Sequence, residues 1–163
     1  MAKKGHVSET PATAWLRAHG VVFSEHPYEY LEHGGAGHSA EVLGVDPSMV
    51  VKTLVMQDER ARPLLVLMHG NRKVSTRSLA RQIGCKSVEP CAVEVANRHS
   101  GYLVGGTSPI GTRTAMPVFV EQTILDLPRI LINGGRRGYL VGLAPEVCVR
   151  LLGAKPVTCA LAE

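Results

Sequence analysis

Apolar and polar positions change their spacing several times along this chain, and each change marks an element. Thr10-Pro11 precedes a stretch whose apolar face is Trp15 and Leu16, so a helix begins with Thr10 as N-cap and stops at Gly20. Residues 21–30 read as a strand, and glycines 34, 35 and 37 form a loop into a short helix, residues 39–43, closed by Gly44. Two β-rich apolar runs, residues 50–56 and 64–69, flank the charged stretch 57–62 and predict an antiparallel pair. Ser75 caps a helix to about Ile83, with Leu79 and Ile83 inward, Arg77 and Arg81 outward, and Gly84 as its end. A helix over 92–98, short strands at 118–120, 129–132 and 139–143, a helix from Pro145 to Leu152 and a strand over 157–161 complete the pattern.

Strands and helices interleave, yet the intervals between strands are irregular and no βαβ unit repeats. This predicts a mixed α+β fold, with a curved or barrel-like, mostly antiparallel sheet and helices around it. The 163 residues form one domain, with residues 1–7 as a polar, flexible arm.

Composition narrows the picture. Aromatic residues are only 4% of the chain, so the core is aliphatic and stacking platforms for single-stranded nucleic acid are few. The net charge of +4 favours a polyanionic partner weakly. A basic rim around a binding face and ordinary solvated surface both fit Arg72-Lys73, Arg77, Arg81, Lys86, Arg98, Arg113 and Arg136-Arg137. Cys85, Cys91, Cys148 and Cys159 lack the paired spacing of a zinc site, and no secretory segment precedes them, which predicts reduced thiols in a cytoplasmic protein without metal. No apolar run approaches the roughly twenty residues that a membrane-spanning helix needs.

The candidate chemistry lies in three places. Lys52 stands inside the run Val50-Val51-Lys52-Thr53-Leu54-Val55-Met56, where both strand faces are apolar. An ammonium there either snorkels at a sheet edge or points into a pocket, where it binds phosphate or polarises a carbonyl. The segment Gly101-Tyr102-Leu103-Val104-Gly105-Gly106-Thr107-Ser108-Pro109-Ile110-Gly111 is either a tight connection or a row of backbone N–H groups facing a carbonyl or ribose. It matches neither a P-loop nor a dinucleotide fingerprint. A second loop, Asn133-Gly134-Gly135-Arg136-Arg137-Gly138, follows a short apolar strand. No nucleophile elbow, Cys–His pairing or acidic dyad stands out, so an enzyme of this kind would position and polarise rather than attack.

Taken together, the Val-Val-Lys52-Thr53-Leu strand and the two glycine loops resemble the YbaK/EbsC family of free-standing aminoacyl-tRNA editing deacylases, relatives of the editing domain of bacterial prolyl-tRNA synthetases. The resemblance runs from about Thr10 to the last helix, and is nearest to the branch acting on Cys-tRNA(Pro). It implies a pocket between the lysine strand and the glycine loop, and release of a wrongly attached amino acid from the tRNA acceptor end without metal or cofactor. It implies catalytic roles for Lys52 and Gly106. Substrate would be held by Tyr28, Thr53, Gly105, Thr107, Ser108 and Pro109 and by the Asn133, Gly134 and Gly135 loop. In the cysteine-specific branch the substrate's own thiol attacks its carbonyl and leaves as a thiolactone. Two positions depart from the family pattern: Asn133 replaces a serine, and Leu140 replaces an aspartate of the cysteine-specific members. Deacylation of another small amino acid (alanine or serine), and a non-catalytic module that binds aminoacyl-tRNA or prolyl-tRNA synthetase, are the alternatives.

Overall fold

One long strand organises the molecule, because its two halves have different neighbours. The computed structural model describes residues 9–162, and the arm expected over residues 1–7 lies outside them. In chain order the elements are α1 (Pro11–Ala18), β1 (Ser24–Pro27), α2 (Gly35–Leu43), β2 (Val50–Asp58), β3 (Pro63–His69), β4 (Arg72–Val74), α3 (Thr76–Ile83), β5 (Val88–Pro90), α4 (Val93–Ser100), β6 (Val118–Glu121), β7 (Ile130–Arg136), β8 (Tyr139–Leu143), α5 (Glu146–Leu152), β9 (Lys155–Val157) and β10 (Ala160–Ala162). Short 3-10 turns occupy Pro47–Met49 and Gln122–Asp126.

The main sheet runs β1-β8-β7-β2-β3-β6-β9, and β10 pairs with β4 in a separate two-stranded ribbon. The hairpin of β2 and β3 is antiparallel, with Lys52 opposite Met68 and Val51 opposite His69. On its other side β2 pairs with β7 in parallel at Val50 and Val51, then with β5 in antiparallel fashion from Met56 to Asp58. Between these two pairings the ladder on that side is interrupted. The sheet forks there. β3–β6 and β6–β9 are also parallel, so the sheet is mixed with antiparallel pairs in the majority.

Three aliphatic clusters pack against the sheet, two of them large. The larger gathers Leu16 of α1, Val51 and Val55 of β2, Ile130 and Ile132 of β7 and Val147 of α5. The second holds Met56, Val66 and Met68 against Leu79 and Ala80 of α3. Burying a side chain such as Leu16 or Leu79, both at 0% exposure, contributes about 2 kcal/mol each.

Most local signals act as the sequence indicates. The Thr10 hydroxyl accepts from the Thr13 N–H at 3.1 Å, and the Thr13 hydroxyl accepts from the Thr10 N–H at 2.9 Å, closing a capping box. Ser75 caps α3 by accepting from the Ser78 N–H. Four expectations need correction. The strand foreseen over residues 21–30 is confined to Ser24–Pro27. Gly35 and Gly37 lie within α2 rather than in a loop before it. The final strand is two pieces, β9 and β10, in different sheets. The supposed loop of residues 133–138 is mostly strand: β7 continues to Arg136 through a bulge, leaving Arg137 and Gly138 as the turn into β8.

Candidate active site

The fork in the sheet opens into a cavity of about 600 Å³. Its floor is β2, its walls are α2 and α4, and its lip is the loop of residues 101–111. Val51, Thr53 and Val55 line it from β2, and Leu140 of β8 adds an apolar surface beside Val50. The Thr53 Oγ1 is buried and has no hydrogen-bond partner among the described residues. A hydroxyl buried without a partner costs roughly 1–3 kcal/mol, so this orphan in a cavity floor is best explained by a ligand that completes it.

The lip is held against the β7–β8 hairpin from several sides. The bulge at Asn133 turns on its own side chain, whose Oδ1 accepts from the Gly135 and Arg136 N–H groups at 2.7 and 3.1 Å. The Asn133 Nδ2 then donates to the Gly105 carbonyl at 3.2 Å, and Arg137 Nε donates to the Val104 carbonyl at 3.0 Å. The Arg137 guanidinium also lies 5.4 Å from the centre of the Tyr30 ring. Gly105 has φ +95°, and a Cβ there would meet the Tyr30 hydroxyl at 2.5 Å. The left-handed conformation demands glycine there.

Within this lip, adjacent residues have different tasks. The Gly106 N–H donates to the Leu103 carbonyl at 2.7 Å, so it is occupied by the turn. Gly105 and Thr107 line the cavity, and their N–H groups make no hydrogen bond among the described residues. Gly106, Ser108 and Pro109 do not line the cavity. Ser108 is fully buried, and its Oγ accepts from the Ile110 N–H. Gly134 and Gly135 sit behind the lip, where a Cβ would strike the rings of Tyr139 and Tyr102 at 2.6 and 2.8 Å. Both serve packing.

Of the remaining expected residues, Tyr28, Thr53 and Asn133 line the cavity, and Tyr28 stands on its far wall. Burial pushes the Tyr28 phenol above its ordinary range, against the opposing effect of a hydrogen bond with Ser39. Lys52 is half-buried and lies outside the lining, although it falls between Val51 and Thr53, which belong to it. Tyr30, His38, Ser39, Cys91 and Arg137 also line the site without having been singled out as ligand-binding, as does Leu140, the residue that departs from the family pattern. Tyr30 could have been found from Tyr28, since alternate residues of an extended segment share a face. The Cys91 thiol is held neutral, its pKa raised by burial and then by Glu89, and it lies 3.6 Å from Gln57 Oε1.

The arrangement defines a class: a mixed α/β domain with a mostly apolar cleft at a sheet fork, edged by the glycine-containing lip on one side and by Tyr28, Tyr30 and His38 on the other. The aminoacyl-tRNA editing domain family matches residues 35–151. A protein of Enterococcus faecalis, provisionally named the Cys-tRNA(Pro)/Cys-tRNA(Cys) deacylase EbsC, is 31% identical over 152 residues, 93% of each chain. A proline–tRNA ligase of Limosilactobacillus fermentum is 26% identical over 105 residues, which are 62% of this chain and 18% of the ligase. Two solved structures share the fold at 22% identity. A hypothetical protein has a TM-score of 0.85 over 93% of this chain and 100% of its own. A protein provisionally described as a trans-editing enzyme for prolyl-tRNA synthetase has 0.80 over 93% and 96%. The chain belongs to the aminoacyl-tRNA editing domain family.

Proposed function

We propose that this chain is a single-domain, cytoplasmic editing deacylase that clears a misattached amino acid from the acceptor end of tRNA, with Cys-tRNA(Pro) as its main substrate and prolyl-tRNA synthetase as the enzyme whose errors it corrects. Among the described residues, no helix is long and apolar enough to cross a membrane. The observation that carries the reading is the orphaned Thr53 hydroxyl, in a cavity lipped by Gly105 and Thr107. In this reading the N–H groups of those two residues stabilise the oxygen that gains charge as the ester carbonyl is attacked. Thr53 takes a hydrogen bond with the terminal ribose, Tyr28 closes the opposite wall, and Lys52 meets the terminal phosphate.

Cys91 is the one thiol in the lining, and its raised pKa makes it a poor nucleophile. In this reading release is substrate-assisted. The cysteinyl sulfur bonds to its own carbonyl carbon, the ester C–O bond breaks, and the thiol proton ends on the freed ribose hydroxyl. The products are a thiolactone and uncharged tRNA.

The test is a panel of Cys-, Ala- and Ser-tRNA(Pro), following ester loss and product identity. Accelerated loss with cysteine alone, a thiolactone product and a roughly 10²-fold drop in Lys52→Ala are expected. Decay of every ester at its spontaneous rate would overturn the reading. Leu140 favours one alternative: an apolar surface where a carboxylate could meet the substrate ammonium suits alanine as well as cysteine, and the panel separates the two.

A further inference from the structure

The positive charge of this chain is concentrated in one short segment. Residues 72–86 contain Arg72, Lys73, Arg77, Arg81 and Lys86 and no Asp or Glu. Setting those five aside leaves 13 basic against 14 acidic residues, a net of −1, so the segment carries the whole excess that makes the protein basic. All five side chains are exposed, and among the described residues none makes an ion pair. The fold brings three of them to one groove. Arg72 and Lys73 lie on β4, Arg77 and Arg81 on the outer face of α3, whose inner face buries Leu79 and Ala80, and Lys86 lies just beyond. Arg77, Arg81 and Lys86 line a shallow groove of about 400 Å³.

Position gives this patch its meaning. The chain leaves Lys86, forms β5 and reaches Pro90 and Cys91, which are wall residues of the cavity. Lys86 thus lies four residues along the chain from the cavity wall, with the exposed Glu89 between them, and its backbone N–H donates to the Glu59 carboxylate at 2.9 Å. Exposed cations gathered on one face attract a polyanion and are screened by salt. The scarcity of aromatics argues for contact with phosphates rather than stacking on bases.

We infer that the β4–α3 face, residues 72–86, is the docking surface for the phosphate backbone of an RNA duplex, the stem adjoining the acylated end that occupies the cavity. This inference rests on the deacylase reading above. Contacts of this kind add affinity and salt dependence without reading sequence.

The experiment compares the full chain with the triple variant Arg77→Gln, Arg81→Gln, Lys86→Gln on two substrates: Cys-tRNA(Pro), and a cysteinyl ester of adenosine that has no stem. Arg150→Gln on α5 is the control for loss of a distant exposed cation. Expected are an increase of roughly tenfold or more in KM for the tRNA, an unchanged kcat, unchanged turnover of the adenosine ester, and a fall of about 3 in the slope of log K against log salt. The control should behave as the parent. A triple variant with the parent's KM and salt slope on the tRNA would overturn the docking surface, and would assign the patch to another anion such as an acidic protein. A parent protein that cleaves neither substrate would instead defeat the deacylase reading. In that case, binding of uncharged tRNA with the parent's slope in the triple variant would still overturn the surface, and a slope lower by about 3 would still support it.

Discussion

Gly106 lies directly on the peptide joining Arg136 to Arg137: a Cβ built on it would stand 2.7 Å from the Arg137 nitrogen and 2.8 Å from the Arg136 carbonyl carbon. Both atoms belong to backbone, so neither can swing aside as a side chain would. The lip of the cavity and the β7–β8 hairpin are thereby fixed at contact distance, and the neighbouring donors Gly105 and Thr107 take their positions from that contact.

Gly106→Ala should therefore move the lip off the hairpin. A loss of about 1–3 kcal/mol in urea unfolding is expected from the overpacking, with a larger relative loss in deacylation because the two donors shift together. A variant with parental stability and parental rate would show that the contact is not what positions the lip.

Thr53→Val tests the orphaned hydroxyl. The substitution keeps the shape and removes a buried group without a partner, so the ligand-free protein should be stabilised by about 1 kcal/mol, or a Tm rise of about 2–4 °C. Deacylation should fall in the same variant. A fall in Tm would mean that the hydroxyl already has a partner in the free protein.

The sequence disclosed the hairpin of β2 and β3, the caps at Thr10 and Ser75 and the ends at Gly44 and Gly84, because each depends on residues close together in the chain. It also marked Thr53, Tyr28 and Asn133, which the fold brings to one cavity. The fork in β2 was not legible, since it arises from pairings with β5 and β7 that are distant in sequence. Nor was the strand character of residues 133–136. Asn and two glycines suggest a loop, yet Asn133 satisfies the bulge internally, and the Thr10 hydroxyl donates to the Gly134 carbonyl from 124 residues away. The separate tasks of Gly105 and Gly106 follow from which amide the Leu103 carbonyl takes, a detail of conformation.

Leu140→Ala should act on selectivity and stability together. Leu140 is 4% exposed, packed with Ala40, Val50 and Leu131, and lines the cavity. Truncation should destabilise the protein by about 2–4 kcal/mol and enlarge the space available to the acyl side chain. The ratio of Ala- to Cys-ester turnover should then change, measured on the same tRNA. An unchanged ratio in a folded variant would place the side chain of the substrate elsewhere in the cavity.

Alkaline stability provides the last test, through Tyr102. Its hydroxyl donates to the Ile110 carbonyl at 2.6 Å, and burial pushes its pKa up to about 12 from the ordinary 10.0. Tyr139 is shifted in the same direction, first by burial and then by the Glu25 carboxylate that accepts its hydrogen bond. The neutral phenol is the form the fold favours, so in the unfolded chain it ionises first. Between pH 10 and 12 the unfolded state holds fewer protons than the native one, and the free energy of unfolding must fall as pH rises. The contribution is intact below pH 10 and is lost as the native pKa is approached. Urea unfolding followed from pH 8 to 11.5 should show this decline. It should be shallower in Tyr102→Phe, which removes one titrating group but starts less stable through loss of the bond to Ile110. A decline of the same steepness in that variant would mean that the Tyr102 phenol ionises alike in both states, and that the lip it braces is open to solvent.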